Sequence, residues 1–180
     1  MPCMSSDLQD WNSRIIAEFR ANAGFIRWST DEDLAMGRPI PPLLPGFDLH
    51  QSVPIILLTH TGAATGRTRT NPLVYQAVSE TFAIFATYGG SPHPPSWYRN
   101  ITTNPRATVE VGAETIPTRA RLTSGTERDR IWARQVQLMA TFADFQAAAD
   151  RQIPVVVLTP DRDTHPSPRP GHPSTQEQSQ

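Results

Sequence analysis

Between Asp7 and Trp28, apolar side chains recur three or four positions apart, at Leu8, Trp11, Ile15, Phe19, Ala23 and Ile26, with Asp7, Asp10, Arg14 and Glu18 among them. Residues at that spacing share one face of a helix, so the pattern predicts an amphipathic helix. Its apolar stripe needs a cover. The polar face is not rich in basic residues, which favours packing on the rest of the chain over attachment to a membrane surface. From Gly37 to Gly46, Pro39, Pro41, Pro42 and Pro45 fix φ and predict an extended, rigid connector.

From Val53 the pattern shortens. Val53 to His60, Arg69 to Val78, Thr81 to Thr87, Ala107 to Val111, Thr115 to Leu122 and Ile153 to Leu158 are β-branched or aromatic runs separated by turn residues. Six such strands predict a barrel or a strongly bent sheet. They are interrupted from Thr126 to Arg151 by helical periodicity, with Ile131, Leu138, Phe142, Phe145 and Ala149 on one stripe and Trp132, Val136 and Met139 beside it. Residues 161 to 180 carry four prolines and no aliphatic side chain, which predicts a disordered tail. The expected organisation is a helix and connector over 1–52, a barrel over 53–160 and a tail over 161–180.

Composition narrows the function classes. With 180 residues and a formal net charge of -1, the chain has no general attraction for nucleic acid or an acidic membrane. Cys3 is the single cysteine, which excludes an intrachain disulfide and agrees with a reducing cytoplasm. No apolar run approaches the roughly 20 residues of a membrane span, and no secretory h-region is visible. All 16 basic residues are arginine, so Schiff-base chemistry on lysine is excluded. His60 and His93 belong to no metal-ligand spacing, and no metal is expected. No Gly-x-Ser-x-Gly elbow supports a hydrolase.

Candidate chemistry concentrates in Thr61 to Tyr75, directly behind the apolar run Val53 to Leu58. Gly62 and Gly66 permit a tight turn with exposed N–H groups, threonine hydroxyls add donors, and Arg67 and Arg69 supply fixed charge suited to phosphate. The segment is neither a Walker loop nor a dinucleotide fingerprint, because no Gly-Lys-Ser/Thr follows and the next signals are strand rather than helix. A polar hairpin with solvated arginines is the competing reading.

Three stretches in order, LTHTGAATGRTRTNPLVY at 58–75, ATYGGSPHPPSWYRNITTNP at 86–105 and RQIPVVVLTP at 151–160, resemble the deazaflavin-dependent nitroreductase family, whose members use coenzyme F420. The resemblance runs from Val53 to Pro160. It implies a split β-barrel related to the FMN-binding barrels, here mainly β with an N-terminal helix and a long helix before the last strand. It further implies an oxidoreductase, expected in the cytoplasm; specialised metabolism is the setting expected for a member that has abandoned the coenzyme.

By resemblance, Thr65, Gly66, Arg67 and Arg69 hold the phosphate and acidic tail of the coenzyme, and Asn71 and Pro72 line its linker. Ala86, Thr87 and Tyr88 run beside the deazaflavin ring, and Trp97 and Asn100 contact the coenzyme. Met139, Phe142 and Phe145, core residues by periodicity alone, would line an apolar pocket for a hydrophobic substrate. Tyr88 is the candidate proton donor, with an aromatic wall as its other reading.

The chain departs from the family at three places. Ala63 and Ala64 stand where many members carry basic residues, Thr87-Tyr88 stands for Ser-Lys, and Met139, Phe142 and Phe145 stand where tyrosines occur. The expected function is hydride transfer between reduced deazaflavin and an electrophilic enone, quinone, imine or nitro compound. The alternatives are a cofactor-independent isomerase or cyclase and a non-catalytic ligand-binding protein. A homodimer is left open.

Overall fold

The computed structural model describes residues 4–24, 26 and 53–161. The proline-rich connector and the tail expected after Asp161 lie outside the described residues. In chain order the elements are α1 (Met4–Ala21), β1 (Ile55–Thr61), β2 (Thr68–Val78), β3 (Thr81–Phe85), a single 3₁₀ turn (Tyr88–Gly90), α2 (Ser96–Thr103), β4 (Arg106–Val111), β5 (Glu114–Leu122), α3 (Gly125–Leu138), α4 (Thr141–Ala148) and β6 (Val155–Pro160). The six strands close in the order β1-β2-β3-β6-β5-β4, every neighbouring pair antiparallel.

Strands β1, β3 and β6 read as continuous apolar runs because both of their faces are covered. Alternation sends Ile56, Leu58, Ile84, Val156 and Leu158 into the barrel, where Trp97 and Ile101 of α2 join them. The intervening Ala83, Phe85, Val155 and Val157 face outward and are covered by Ile131 and Trp132 of α3 and Phe142 and Phe145 of α4. Ile55 and Leu57 also face outward, under Ile15 and Phe19 of α1. The apolar stripe of α1 therefore packs on the barrel. Arg20 locks it there with two hydrogen bonds to Glu110 of β4, at 2.9 and 2.6 Å.

Two helix boundaries differ from the periodicity. The first helix ends at Ala21 rather than Trp28, because Ala23 and Gly24 take φ of 49° and 92° and Gly24 N–H bonds back to Phe19 O. The segment 126–151 forms two helices rather than one. Met139, at φ -146° and ψ 95°, closes α3 with its N–H on Gln135 O, and α4 restarts two residues later. An unbroken helix would keep Leu138, Phe142 and Phe145 on one stripe. The break leaves Leu138 52% exposed and turns Phe142 and Phe145 onto Phe85.

Arg128 is buried at the junction of these helices. Its guanidinium donates to Ile153 O at 2.9 Å and lies 4.7 Å from the Trp132 ring centre, tying α3 to the approach of β6. On the other side, buried Gln76 of β2 donates to Ile131 O and Gln135 Oε1, both at 3.3 Å. No helix among the described residues is long and apolar enough to cross a membrane.

Candidate functional site

Antiparallel alternation brings the C-terminal ends of β1 and β3 and the N-terminal ends of β2 and β4 to the same end of the barrel. The residues singled out at Thr65–Arg69 and Ala86–Tyr88 therefore share that end, although about twenty positions separate them.

The β1–β2 turn is closed from within. Gly62 N–H donates to Arg67 O and Gly66 N–H to Gly62 O, both at 2.8 Å. Gly66 takes φ 65°, a conformation that costs glycine little and other L residues more. Ala63 N–H donates to Asn100 Oδ1 at 2.9 Å, so α2 braces the turn. Among the described residues, the N–H groups of Ala64 and Thr65 have no acceptor, and Thr65, Arg67 and Arg69 are exposed. Two unspent N–H donors beside two guanidinium groups form a cradle suited to phosphate or carboxylate.

The second segment runs from Ala86 to His93. Ala86 is buried with the barrel interior, and its N–H donates to Pro154 O at 3.0 Å. Beyond it the chain leaves the sheet: Tyr88 has φ 47°, Gly89 63° and Gly90 80°. Only a glycine fits at position 90, since a Cβ there would meet Ala148 Cβ at 2.8 Å as well as carry that φ. Tyr88 is 53% exposed and stands at the rim. A non-glycine residue at positive φ is uncommon and costs of order 1 kcal/mol or more, which marks the segment as held by its surroundings. Trp97 is buried in the barrel interior and packs edge-on against Tyr98, with ring centres 6.3 Å apart.

A groove of about 540 Å³ adjoins the turn along Thr59, Thr61, Thr68 and Thr108, with Arg106, Arg119 and Asp161 on its walls. Arg119 and Asp161 approach to 3.9 Å. The groove therefore continues the polar, arginine-bearing surface of the turn.

The remaining candidates are placed elsewhere. Asn71 is half-buried, with Oδ1 2.9 Å from His60 Nε2, and Pro72 is buried in the sheet opposite Leu57. Phe142 and Phe145 are 2% and 4% exposed and line no groove described above. They form an edge-to-face chain, Phe85 to Phe142 at 5.2 Å and Phe142 to Phe145 at 5.7 Å. Met139 is half-buried beside them, its sulfur accepting from Gln135 Nε2 at 3.3 Å. These three residues sit in the aromatic layer on the outside of the barrel wall. Among the described residues no cluster of three or more His, Cys, Asp or Glu could hold a metal ion.

The sequence model of the F420H(2)-dependent quinone reductase family matches residues 46–160, 115 of the 180 positions. The chain belongs to that family. One curated F420H(2)-dependent quinone reductase of Mycobacterium tuberculosis is 35% identical over 117 residues, covering 63% of this chain and 78% of its own. A second protein of that organism, carrying the same family description, is 34% identical over 115 residues, with 64% of this chain and 97% of its own covered. Among solved structures, an F420-H2 dependent reductase superposes with a TM-score of 0.55 at 38% identity, over 58% of this chain and 93% of that chain. A chain described as a domain-swapped dimer also gives 0.55, at 33% identity, over 72% of this chain and 99% of that one. The split barrel expected from the ordered motifs is the fold this chain shares with the F420-H2 dependent reductase.

Sequence reasoning missed one residue of the candidate site. Arg151 opens the third motif stretch, and no role was drawn from it. In the fold it reaches across to Ala86 O at 2.9 Å and Ser91 O at 3.2 Å. Burial pushes its pKa down from the ordinary arginine value, and nearby Tyr98 partly offsets that. The only signal in the sequence was position, an arginine immediately before the last strand.

Proposed function

We propose that this protein is an F420H2-dependent reductase that holds the coenzyme along one end of the barrel. The observation that carries the reading is the junction of two segments there. The turn, braced by Asn100 of α2, offers the N–H groups of Ala64 and Thr65 beside Arg67 and Arg69, and the Ala86–His93 segment lies at the same end.

The residues present fit a group with an anionic tail and a flat ring. Thr65, Gly66, Arg67 and Arg69 bind its phosphate, and the groove walled by Arg106 and Arg119 gives the acidic tail a continuing path. Ala86 and Thr87 flank the ring, while buried Trp97 keeps water from the barrel interior. When bound, the reduced deazaflavin supplies a hydride. Tyr88, exposed at the rim with a hydroxyl free to rotate, meets the substrate and donates a proton to it. The substrate class is an apolar electrophile, with quinones placed first because of the names the relatives carry.

Titrating the purified protein with oxidised coenzyme, followed by deazaflavin fluorescence, and then assaying quinone reduction with reduced coenzyme tests this reading. Saturable binding with turnover is the expected result. Binding without turnover with quinones, enones, imines and nitro compounds would favour a carrier. Activity in deazaflavin-free protein would reject redox chemistry for an isomerase or cyclase, the reading that Ala63 and Ala64 motivate.

A further inference from the structure

We propose that Arg151 is the positioning residue of the coenzyme site, a single cation that draws in the carbonyl groups of the Ala86–His93 segment and thereby fixes Tyr88 and Gly89 at the rim. This rests on the reading of Ala86–Tyr88 as the ring-side segment. Its Nη2 lies 2.9 Å from Ala86 O, 3.3 Å from Thr87 O and 3.4 Å from His93 O, and its Nε lies 3.2 Å from Ser91 O. Four carbonyls of one eight-residue segment thus converge on one planar fork, supplied from about sixty positions away. Arginine suits this because its donors are rigidly arranged and its charge survives burial.

The consequence for the segment is directional. With its carbonyls committed inward, the N–H groups of Tyr88 and Gly89 have no acceptor among the described residues, and both residues are exposed. Thr87 lies in the right-handed region at φ -69°, ψ -48° and Tyr88 at φ 47°, an alternation that gathers successive N–H groups around a concavity for an electron-rich oxygen. Positive φ at a tyrosine is unfavourable, so something must hold it. Ser91 N–H on Tyr88 O and Gly90 N–H on Thr87 O, both 3.1 Å, are the segment's own turn bonds, and Arg151 supplies the ties from outside it. Arg151 Nη1 is itself buried with no partner, which indicates that its place is set by the other two nitrogens.

The test compares Arg151→Ala and Arg151→Lys with the wild type by amide hydrogen exchange on the coenzyme-free protein and by steady-state kinetics. Loss of the fork should speed exchange at Gly90 and Ser91, whose N–H groups are bonded within the segment, by about tenfold or more while β1 and β4 keep their protection. It should lower kcat by about 10²-fold through misplaced geometry, with coenzyme affinity held within a few-fold by the intact Arg67–Arg69 turn. Millimolar guanidinium should restore much of the kcat of Arg151→Ala, and sodium chloride at equal ionic strength should not. Should Arg151→Ala lose protection everywhere, Arg151→Lys decides, since it keeps the charge without the fork. Wild-type exchange at Gly90 and Ser91 and wild-type kcat in whichever variant folds would overturn the proposal. A wild-type protein that binds no deazaflavin would sink the functional reading, whereas the exchange comparison still judges the latch.

Discussion

Phe85 and Ala86 are neighbours in the chain, yet they belong to regions held by different forces. Phe85 faces outward into the aromatic layer with Trp132, Phe142 and Phe145, where ring centres lie 5.2 to 6.0 Å apart at steep angles. That layer is apolar and held by packing, since each aromatic ring buries area and the edge-to-face contacts add a further ~1 kcal/mol apiece. Ala86 starts the rim, where order comes from directed hydrogen bonds: Arg151 to four carbonyls, and Asn100 to the β1–β2 turn. The layer fixes where the rim sits, because Ala148 and Phe145 of α4 crowd Gly90. The rim then carries exposed donors that a packed core could not tolerate. Packing and directed hydrogen bonding thus meet at adjacent positions, the last residue of β3 and the first beyond it.

The division can be broken from either side. The largest effect is expected at the rim. Tyr88→Phe should lower turnover by about 10²- to 10⁴-fold while leaving coenzyme affinity and melting temperature unchanged. Wild-type turnover would leave Tyr88 as an aromatic wall and solvent as the proton source. On the other side, Phe142→Ala should cost about 3–5 kcal/mol in denaturant unfolding by opening a cavity against Phe85. Coenzyme affinity in the folded fraction should hold, and a variant that lost affinity without losing stability would show that the two regions are not separate.

Smaller changes sharpen the contrast. Replacing Arg67 and Arg69 together with Gln should weaken coenzyme binding by about 10²-fold and flatten its salt dependence, with no change in melting temperature. Unchanged affinity would remove the anion cradle from the proposal. Asn100→Ala takes the acceptor from Ala63 N–H and should cost about 1 kcal/mol of stability together with a several-fold loss of affinity, since that bond ties α2 to the turn.

The smallest effect lies at α1. Glu110 is held below the usual carboxylate range by its hydrogen bonds from Arg20. A depressed folded-state value means the contribution is present above the ordinary carboxylate pKa and lost as the pH falls through the lowered one. Arg20 is half exposed, so the contribution is at most about 1 kcal/mol. Acid titration of Trp11 fluorescence should show α1 loosening in that window in the wild type, and Glu110→Gln should abolish this step.

Much of the barrel could be read from local pattern, because strands buried on both faces appear as unbroken apolar runs and those buried on one face alternate. Ile55–Leu58 and Val155–Leu158 are legible for that reason. The helix break at Met139 was not legible, since the same periodicity serves a straight helix and a bent one. The choice is made by where Phe85 and Gly90 offer space. Likewise the phenylalanines of α4 carry the composition of a substrate pocket and of a core alike, and only their packing on Phe85 puts them in the aromatic layer.

The sequence by itself determined the family and the strand count, because each depends on residue type and order along the chain. The tertiary structure decided that Asn100 braces Ala63, that the turn and the Ala86–His93 segment share one barrel end, and that Arg151 gathers the carbonyls of that segment. Those are contacts between positions 37 to 65 residues apart. Their partners on one side are backbone groups, which every residue carries and no sequence pattern distinguishes, so chain closure alone selects them.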